Sequence, residues 1–202
     1  MNDSGPDTSS SIHEEGYFAD AVIGAGRGAL ILAMFGAGWI GWGLSEARLF
    51  NRFTGPALGF TELFLVACSI YVIRKGRLLR KKHPAMSARQ PILRPFLLVV
   101  LVEILALVLV ALIANRLHRS DLASDWFAMV VGLHYLPLAK IFRAPILGVL
   151  GLLMAIWCAI CWALFRGNAL VISVSFGTGI LLWAASASAL LHARQFAHQP
   201  RT

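Results

Sequence analysis

Three ionisable residues, Glu62, Glu103 and His134, each stand near the middle of a long apolar stretch of the sequence. An ionised side chain near the centre of a bilayer costs about 2.5–3.5 kcal/mol on insertion scales, so such residues usually have a partner or a task. Carboxyl and imidazole groups exchange protons, and series of them form the proton relays of pumps and transporters. The three residues therefore predict an intramembrane polar site that handles protons.

Tyr135 and Pro137 join this candidate site, because they follow His134 in the segment Gly-Leu-His-Tyr-Leu-Pro-Leu-Ala, residues 132–139. Proline at 137 cannot donate to the carbonyl of Leu133, and its ring presses on that turn, so we predict a kink and a free acceptor beside His134. The segment, with the general hydropathy of the chain, resembles a family of small bacterial multi-pass integral membrane proteins of uncharacterised function. The resemblance implies a bacterial inner-membrane protein and no particular reaction.

The relative depths of the three ionisable residues can be counted at 1.5 Å per helical residue. From the predicted outer ends of the spans, Glu62 and His134 lie at one level, roughly 10–12 Å deep, and Glu103 lies about one and a half turns closer to the cytoplasm. Glu62 and His134 would form the outer part of the site, and Glu103 would accept or pass a proton. In the alternative interpretation, the three residues form interhelical hydrogen bonds that only fix helix packing.

The elements that carry these residues follow from composition. Hydrophobic residues make up 58% of the 202 and charged residues only 14%, a balance that a soluble domain cannot hide from water. We predict an all-α, polytopic transmembrane bundle of one domain, residues 28–191, between a polar disordered tail, 1–27, and a short tail, 192–202. A span needs about 20 apolar residues, which gives about six spans: 28–44, 55–73, 96–115, 126–142, 145–165 and 169–191.

Basic residues predict the orientation and one partner. Most of the 18 Lys and Arg fall on one side of such a bundle, and the densest run follows the second span. Because short basic loops stay in the cytoplasm, we expect a cell inner (plasma) membrane protein with both termini cytoplasmic. The run would also contact anionic lipid headgroups, at roughly 1 kcal/mol per basic residue. It comprises Arg74, Lys75, Arg77, Arg80, Lys81 and Lys82.

Other function classes find little support in the sequence. The net charge of +8 lies mainly in a juxtamembrane run rather than on a folded domain, so we expect no nucleic acid partner. No nucleotide-binding loop, zinc ligand set or metalloprotease pattern occurs, so we expect neither a metal nor a cofactor, and no catalytic residue is assigned. Cys158 and Cys161 form a Cys-x-x-Cys among apolar neighbours, which favours small buried side chains over a redox pair without deciding between them.

Two functions stay open at this point. The buried acids favour small-solute or proton-coupled transport, and the alternative is a structural or regulatory membrane subunit. Small residues recur every four positions in the first and last spans, which allows close helix packing either within the chain or in a homo-oligomer. An enzyme is the weaker interpretation, because no serine lies in a recognisable nucleophile context.

Overall fold

The computed structural model describes residues 8–82 and 93–196, which form six α-helices and no strand. The predicted all-α fold with about six spans is confirmed. Each helix is long and apolar enough to cross a membrane, so the chain is a multi-pass membrane protein in contact with the lipid bilayer. The helices are α1 (Thr8–Glu46), α2 (Thr54–Lys82), α3 (Leu93–Arg116), α4 (Ser120–Ile141), α5 (Pro145–Leu164) and α6 (Asn168–Phe196).

The two predicted tails are largely helical where the structure describes them. The tail predicted over 1–27 is helical from Thr8 onward, and residues 1–7 lie outside the described part of the chain. At the other terminus, α6 continues through the predicted boundary at 192 as far as Phe196. A helix satisfies its backbone groups internally, so it does not have to end where the apolar stretch ends.

Helices also extend beyond the predicted spans at the end of α2 and at the start of α4. α2 continues to Lys82, so the basic run that we predicted as a loop forms the last turns of a helix. α4 begins at Ser120, six residues before its predicted start, because the polar stretch before Trp126 is helical too. The earlier start of α4 increases the depth, counted from that end of the helix, of every residue on α4.

Successive spans alternate in direction, which sorts the loops into two ends. Loops 47–53, 117–119 and 165–167 lie at one end, here named the far end, and the other end, here named the terminal end, carries loop 142–144, the start of α1 and the end of α6. At the far end the side-chain amide of Asn168 donates to the carbonyl of Glu46, 3.1 Å away. Near the terminal end an exposed ion pair joins Arg80 to Asp20 at 3.4 Å.

α6 is the central helix of the described bundle, since it contacts α1, α2, α4 and α5. α1 packs mainly on α6 and α2, and α4 lies between α3 and α5. Among the described residues α3 contacts α4 alone, and α2 contacts neither α3 nor α4. The bundle therefore has an α1–α2–α6 part and an α3–α4–α5 part, joined through α6.

Close packing in the first part depends on α1 and α6. The indole of Trp183 covers Gly36, and its N–H donates to the carbonyl of Ala33 at 3.1 Å. One turn further along α6, the hydroxyl of Ser186 donates to the carbonyl of Ala29 at 2.8 Å. These bonds connect side chains of α6 to the backbone of α1, which holds the two helices in one register.

Candidate functional site

One pair of ionisable side chains within the described spans joins α3 to α4. Nδ1 of His134 lies 3.2 Å from Oε2 of Glu103, and the two side chains are 11% and 19% exposed. The atoms are within hydrogen-bonding distance, although Nδ1 is not aligned as a hydrogen bond to any described group. An imidazole and a carboxyl group at this distance can share or pass one proton.

The helix boundaries explain why these two residues are level. Glu103 stands 13 residues before the end of α3 at Arg116, and His134 stands 14 residues after the start of α4 at Ser120. At 1.5 Å per residue both lie roughly 20 Å from the far end. The expectation that Glu103 lies one and a half turns deeper than His134 is therefore wrong, because it counted from a start of α4 placed too late.

Tyr135 is buried in the bundle, whereas Pro137 is exposed on its surface. The ring of Tyr135 is 8% exposed and meets the edge of the His134 ring, with 5.7 Å between centroids, while its Cβ packs against Gly151 of α5. Pro137 lies on the exposed side of α4, which continues unbroken to Ile141. Tyr135 is thus a buried neighbour of the pair, whereas Pro137 is placed away from the bundle interior.

Glu62 lies in a different interface from the other candidates. Its helix, α2, packs on α1 and α6, so the structure separates Glu62 from His134 and corrects the expectation that the two share a site. The indole of Trp183 lies against the Glu62 carboxyl group, but its N–H is directed to Ala33. Both carboxyl oxygens of Glu62 are buried without a hydrogen-bond partner among the described residues.

Asp125 is a buried acid that the sequence analysis missed. It was assigned to a loop, but it lies in the second turn of α4 and is only 3% exposed. The thiol of Cys158 on α5 is within hydrogen-bonding reach of its carboxyl group. Cys158 and Cys161 are free and fully buried. One feature of the sequence could have revealed Asp125: the predicted fourth span was shorter than the roughly 20 residues that crossing a bilayer takes.

Neither of two surface grooves contains the buried acids. One, of about 380 Å³, lies on α1, and the other, of about 470 Å³, lies between α3 and α4 near the far end. Among the described residues no group of three or more His, Cys, Asp or Glu could hold a metal ion. The first groove is lined by Met34, Phe35, Gly38, Trp39 and Trp42, and the second by Ala111, Ala114, Asn115, His118, Ala123 and Phe127.

The basic run lies along the last turns of α2 at the terminal end. Arg74, Arg77, Arg80 and Lys81 are exposed, and the aliphatic stem of Lys75 is half-buried. The position of the Lys82 side chain lies outside what the structure describes. A helical run of this kind presents its charges on several sides, and one of them, Arg80, is already paired with Asp20.

Comparisons with known proteins give this chain no relative. No protein-family model matches it, and neither a curated protein nor a solved structure does. The buried polar groups and their positions are therefore the observations that bear on function.

Proposed function

We propose that this multi-pass membrane protein carries out proton-coupled transport of a small solute, with Glu103 and His134 as the residues that exchange the proton. The observation that carries the proposal is the 3.2 Å distance between Oε2 of Glu103 and Nδ1 of His134 at mid-depth in the bundle. Ionisable residues at such depth are expensive and commonly mark ion and proton pathways. Glu62, which lies in another interface, takes no part in this pair.

The chemistry of the pair suits proton exchange. With one proton between them, the two groups are either an imidazolium beside a carboxylate or a neutral imidazole beside a carboxylic acid, and both states have no net charge. Binding a second proton leaves a net positive charge, and losing the first leaves a negative one, so each step changes what the surrounding helices must accommodate. The buried ring of Tyr135 packs against the imidazole of His134 and restricts its orientation.

The alternative function is a structural or regulatory membrane subunit. It is favoured by the isolation of α3, which contacts only α4 in the described structure, because the Glu103–His134 pair is a polar contact that would help to hold α3 on α4. Interhelical polar contacts in membranes are worth roughly 0.6–2 kcal/mol, which is enough for such a role. In this alternative the protonation of the pair has no consequence beyond stability.

The location follows from the distribution of charge. We place the protein in a bacterial inner membrane with both termini and the basic run of α2 in the cytoplasm, where anionic lipid headgroups would meet the exposed Arg and Lys. The resemblance of residues 132–139 to small bacterial membrane proteins supports this setting. A homo-oligomer would supply the additional surface that a complete solute pathway needs, since α3 presents most of its apolar side chains outward.

The test is proton movement in liposomes that contain the purified protein and a trapped pH dye. Under an imposed pH gradient and membrane potential, we expect the wild type to move protons and Glu103→Gln to reduce the rate to that of empty liposomes. Glu46→Gln, an exposed acid at the far end, is the matched control and should keep the wild-type rate. Glu62→Gln should keep it as well, because Glu62 is not in contact with the pair.

Two outcomes would reject the proposal. Equal proton movement in wild type and Glu103→Gln would exclude the pair from the proton path, and no movement in the wild type across a panel of added cations, amino acids and sugars would reject transport. In the second case a loss of thermal stability in Glu103→Gln would identify the pair as a packing contact and support the subunit function.

A further inference from the structure

Asp125 and His134 lie on opposite faces of α4. The two residues are nine positions apart, about two and a half turns, so His134 is directed toward α3 and Asp125 toward α5. The side chain of Asp125 is 3% exposed, and the thiol of Cys158 reaches one part of its carboxyl group. The other oxygen, Oδ1, has no hydrogen-bond partner among the described residues.

The surroundings of Oδ1 suit neither protonation state of Asp125 by themselves. If the carboxyl group is ionised, a buried negative charge lies in the membrane with a thiol as its polar neighbour, which is unfavourable. If Oδ1 carries the proton, the O–H has no acceptor among the described residues. A small positively charged ligand at Oδ1 would satisfy the ionised state.

Three hydroxyl groups on α4 and α6 resemble Oδ1 of Asp125 in their surroundings. The hydroxyl oxygens of Ser124, Ser175 and Thr178 are buried and have no hydrogen-bond partner among the described residues. Ser124 precedes Asp125 on α4, and the other two belong to α6, which packs on both α4 and α5.

The register of α5 against α6 sets the relative depths of these groups. The indole N–H of Trp157 donates to the carbonyl of Ser173 at 3.2 Å, and the same ring covers Gly177. Cys158, next along α5, is therefore level with residue 175 of α6. Because Cys158 also reaches Asp125, the carboxyl group of Asp125 is level with residue 175, and Thr178 lies one turn deeper. The Cβ of Ser175 packs against Gly43 of α1, so its hydroxyl belongs to the α1–α6 interface and not to the surroundings of Asp125.

We propose that Asp125 anchors a binding site for one small monovalent cation of the sodium type, with the hydroxyl oxygens of Ser124 and Thr178 as further ligands. Oxygen donors suit hard cations, and calcium and magnesium are usually bound through more than one carboxylate or with several retained waters. A single buried carboxylate balances a single positive charge. The site is independent of the Glu103–His134 pair, so it stands whether or not that pair moves protons.

The direct test is equilibrium binding of radioactive sodium to the purified protein, with choline chloride keeping the ionic strength constant. We expect saturable binding of one sodium ion per chain in the wild type and in Glu46→Gln, the exposed acid control. Asp125→Asn should weaken binding by about tenfold or more, because it removes the only charged ligand. No saturable binding in the wild type, as expected if Asp125 binds only a proton, would overturn the proposal, and so would full binding in Asp125→Asn.

A second measurement uses only the wild type, in case Asp125→Asn does not fold. N-Ethylmaleimide labels a buried thiol only when its surroundings open, so a cation bound beside Cys158 should slow its labelling several-fold in sodium relative to choline. Cys68 on α2, which does not contact α4 in the described structure, is the internal control and should label at the same rate in both salts. Equal rates for Cys158 in the two salts would contradict a sodium site at Asp125.

Discussion

Gly36 on α1 and Gly179 on α6 meet backbone against backbone. A Cβ built on Gly179 would lie 2.8 Å from the carbonyl oxygen of Gly36 and 3.1 Å from the backbone nitrogen of Ile40. Backbone atoms cannot turn aside as a flexible side chain can, so a larger residue must move one helix away from the other. The α1–α6 interface, which supports Trp183 and Ser186, depends on the absence of a side chain here.

Gly179→Ala should therefore destabilise the protein. We expect a loss of about 1–3 kcal/mol in the free energy of unfolding, the usual cost of inserting atoms into a packed interface. Thermal unfolding in detergent, followed by circular dichroism, would measure it. Gly38→Ala is the control, because nothing lies within 4 Å of a Cβ at that position of α1. It should be neutral or stabilising, since alanine is the better helix former by about 0.5–1 kcal/mol. Equal effects of the two changes would contradict the close approach of α1 and α6.

Glu103 and His134 should be coupled in stability. In a double-mutant cycle of Glu103→Gln and His134→Gln, we expect an interaction energy of about 0.5–2 kcal/mol, because each change removes the partner of the other. Reversible unfolding in mixed micelles would give the four free energies. This prediction concerns the contact itself and holds for either proposed function.

Glu62 provides the matched control for that cycle. It lies on α2, which does not contact α4 in the described structure, so the effects of Glu62→Gln and His134→Gln should add within about 0.3–0.5 kcal/mol. Coupling between these two changes would show that Glu62 approaches His134 after all. If Glu103→Gln and His134→Gln show no coupling, the two side chains do not interact, and the proposed function loses the contact on which it rests.

The number of helices was predictable from the sequence, but the contacts between them were not. A span needs a run of apolar residues whatever it packs against, so hydropathy alone finds all six. Lipid tails are as apolar as a protein interior, and hydropathy therefore cannot distinguish a buried face from a lipid-facing one. α3 shows this most clearly: its most apolar stretch has the highest hydropathy of the six, yet none of that stretch is buried.

The sequence named the candidate residues but could not show which of them lie together. Glu103, His134 and Tyr135 were identified because ionisable and polar residues are rare in spans. Their grouping depended on the start of α4, which the polar residues after Arg119 concealed. That same error hid Asp125, and no pattern in the sequence could show that Glu62 on α2 packs toward α6 rather than α4.

The indole N–H of Trp183 should contribute to the α1–α6 contact. Trp183→Phe keeps an aromatic ring over Gly36 but removes the donor to the carbonyl of Ala33, so we expect a loss of about 0.5–1.5 kcal/mol in the free energy of unfolding. Trp162→Phe is the control, since Trp162 is 55% exposed on α5 and should tolerate the change. A loss as large for Trp162 as for Trp183 would argue against a specific bond to Ala33.

The proposed orientation can be tested with single cysteines at the two ends of the bundle. Arg52→Cys lies in the loop between α1 and α2 at the far end, and Phe142→Cys lies after α4 at the terminal end. Both positions are exposed, so a charged maleimide reaches either one from its own side of the membrane. With the three native cysteines replaced by serine or alanine, we expect the reagent to label Arg52→Cys on intact cells and Phe142→Cys only after the membrane is permeabilised. The reverse pattern would place the basic end of α2 outside, which would remove the cytoplasmic lipid contact and invert the direction of any proton movement through Glu103 and His134.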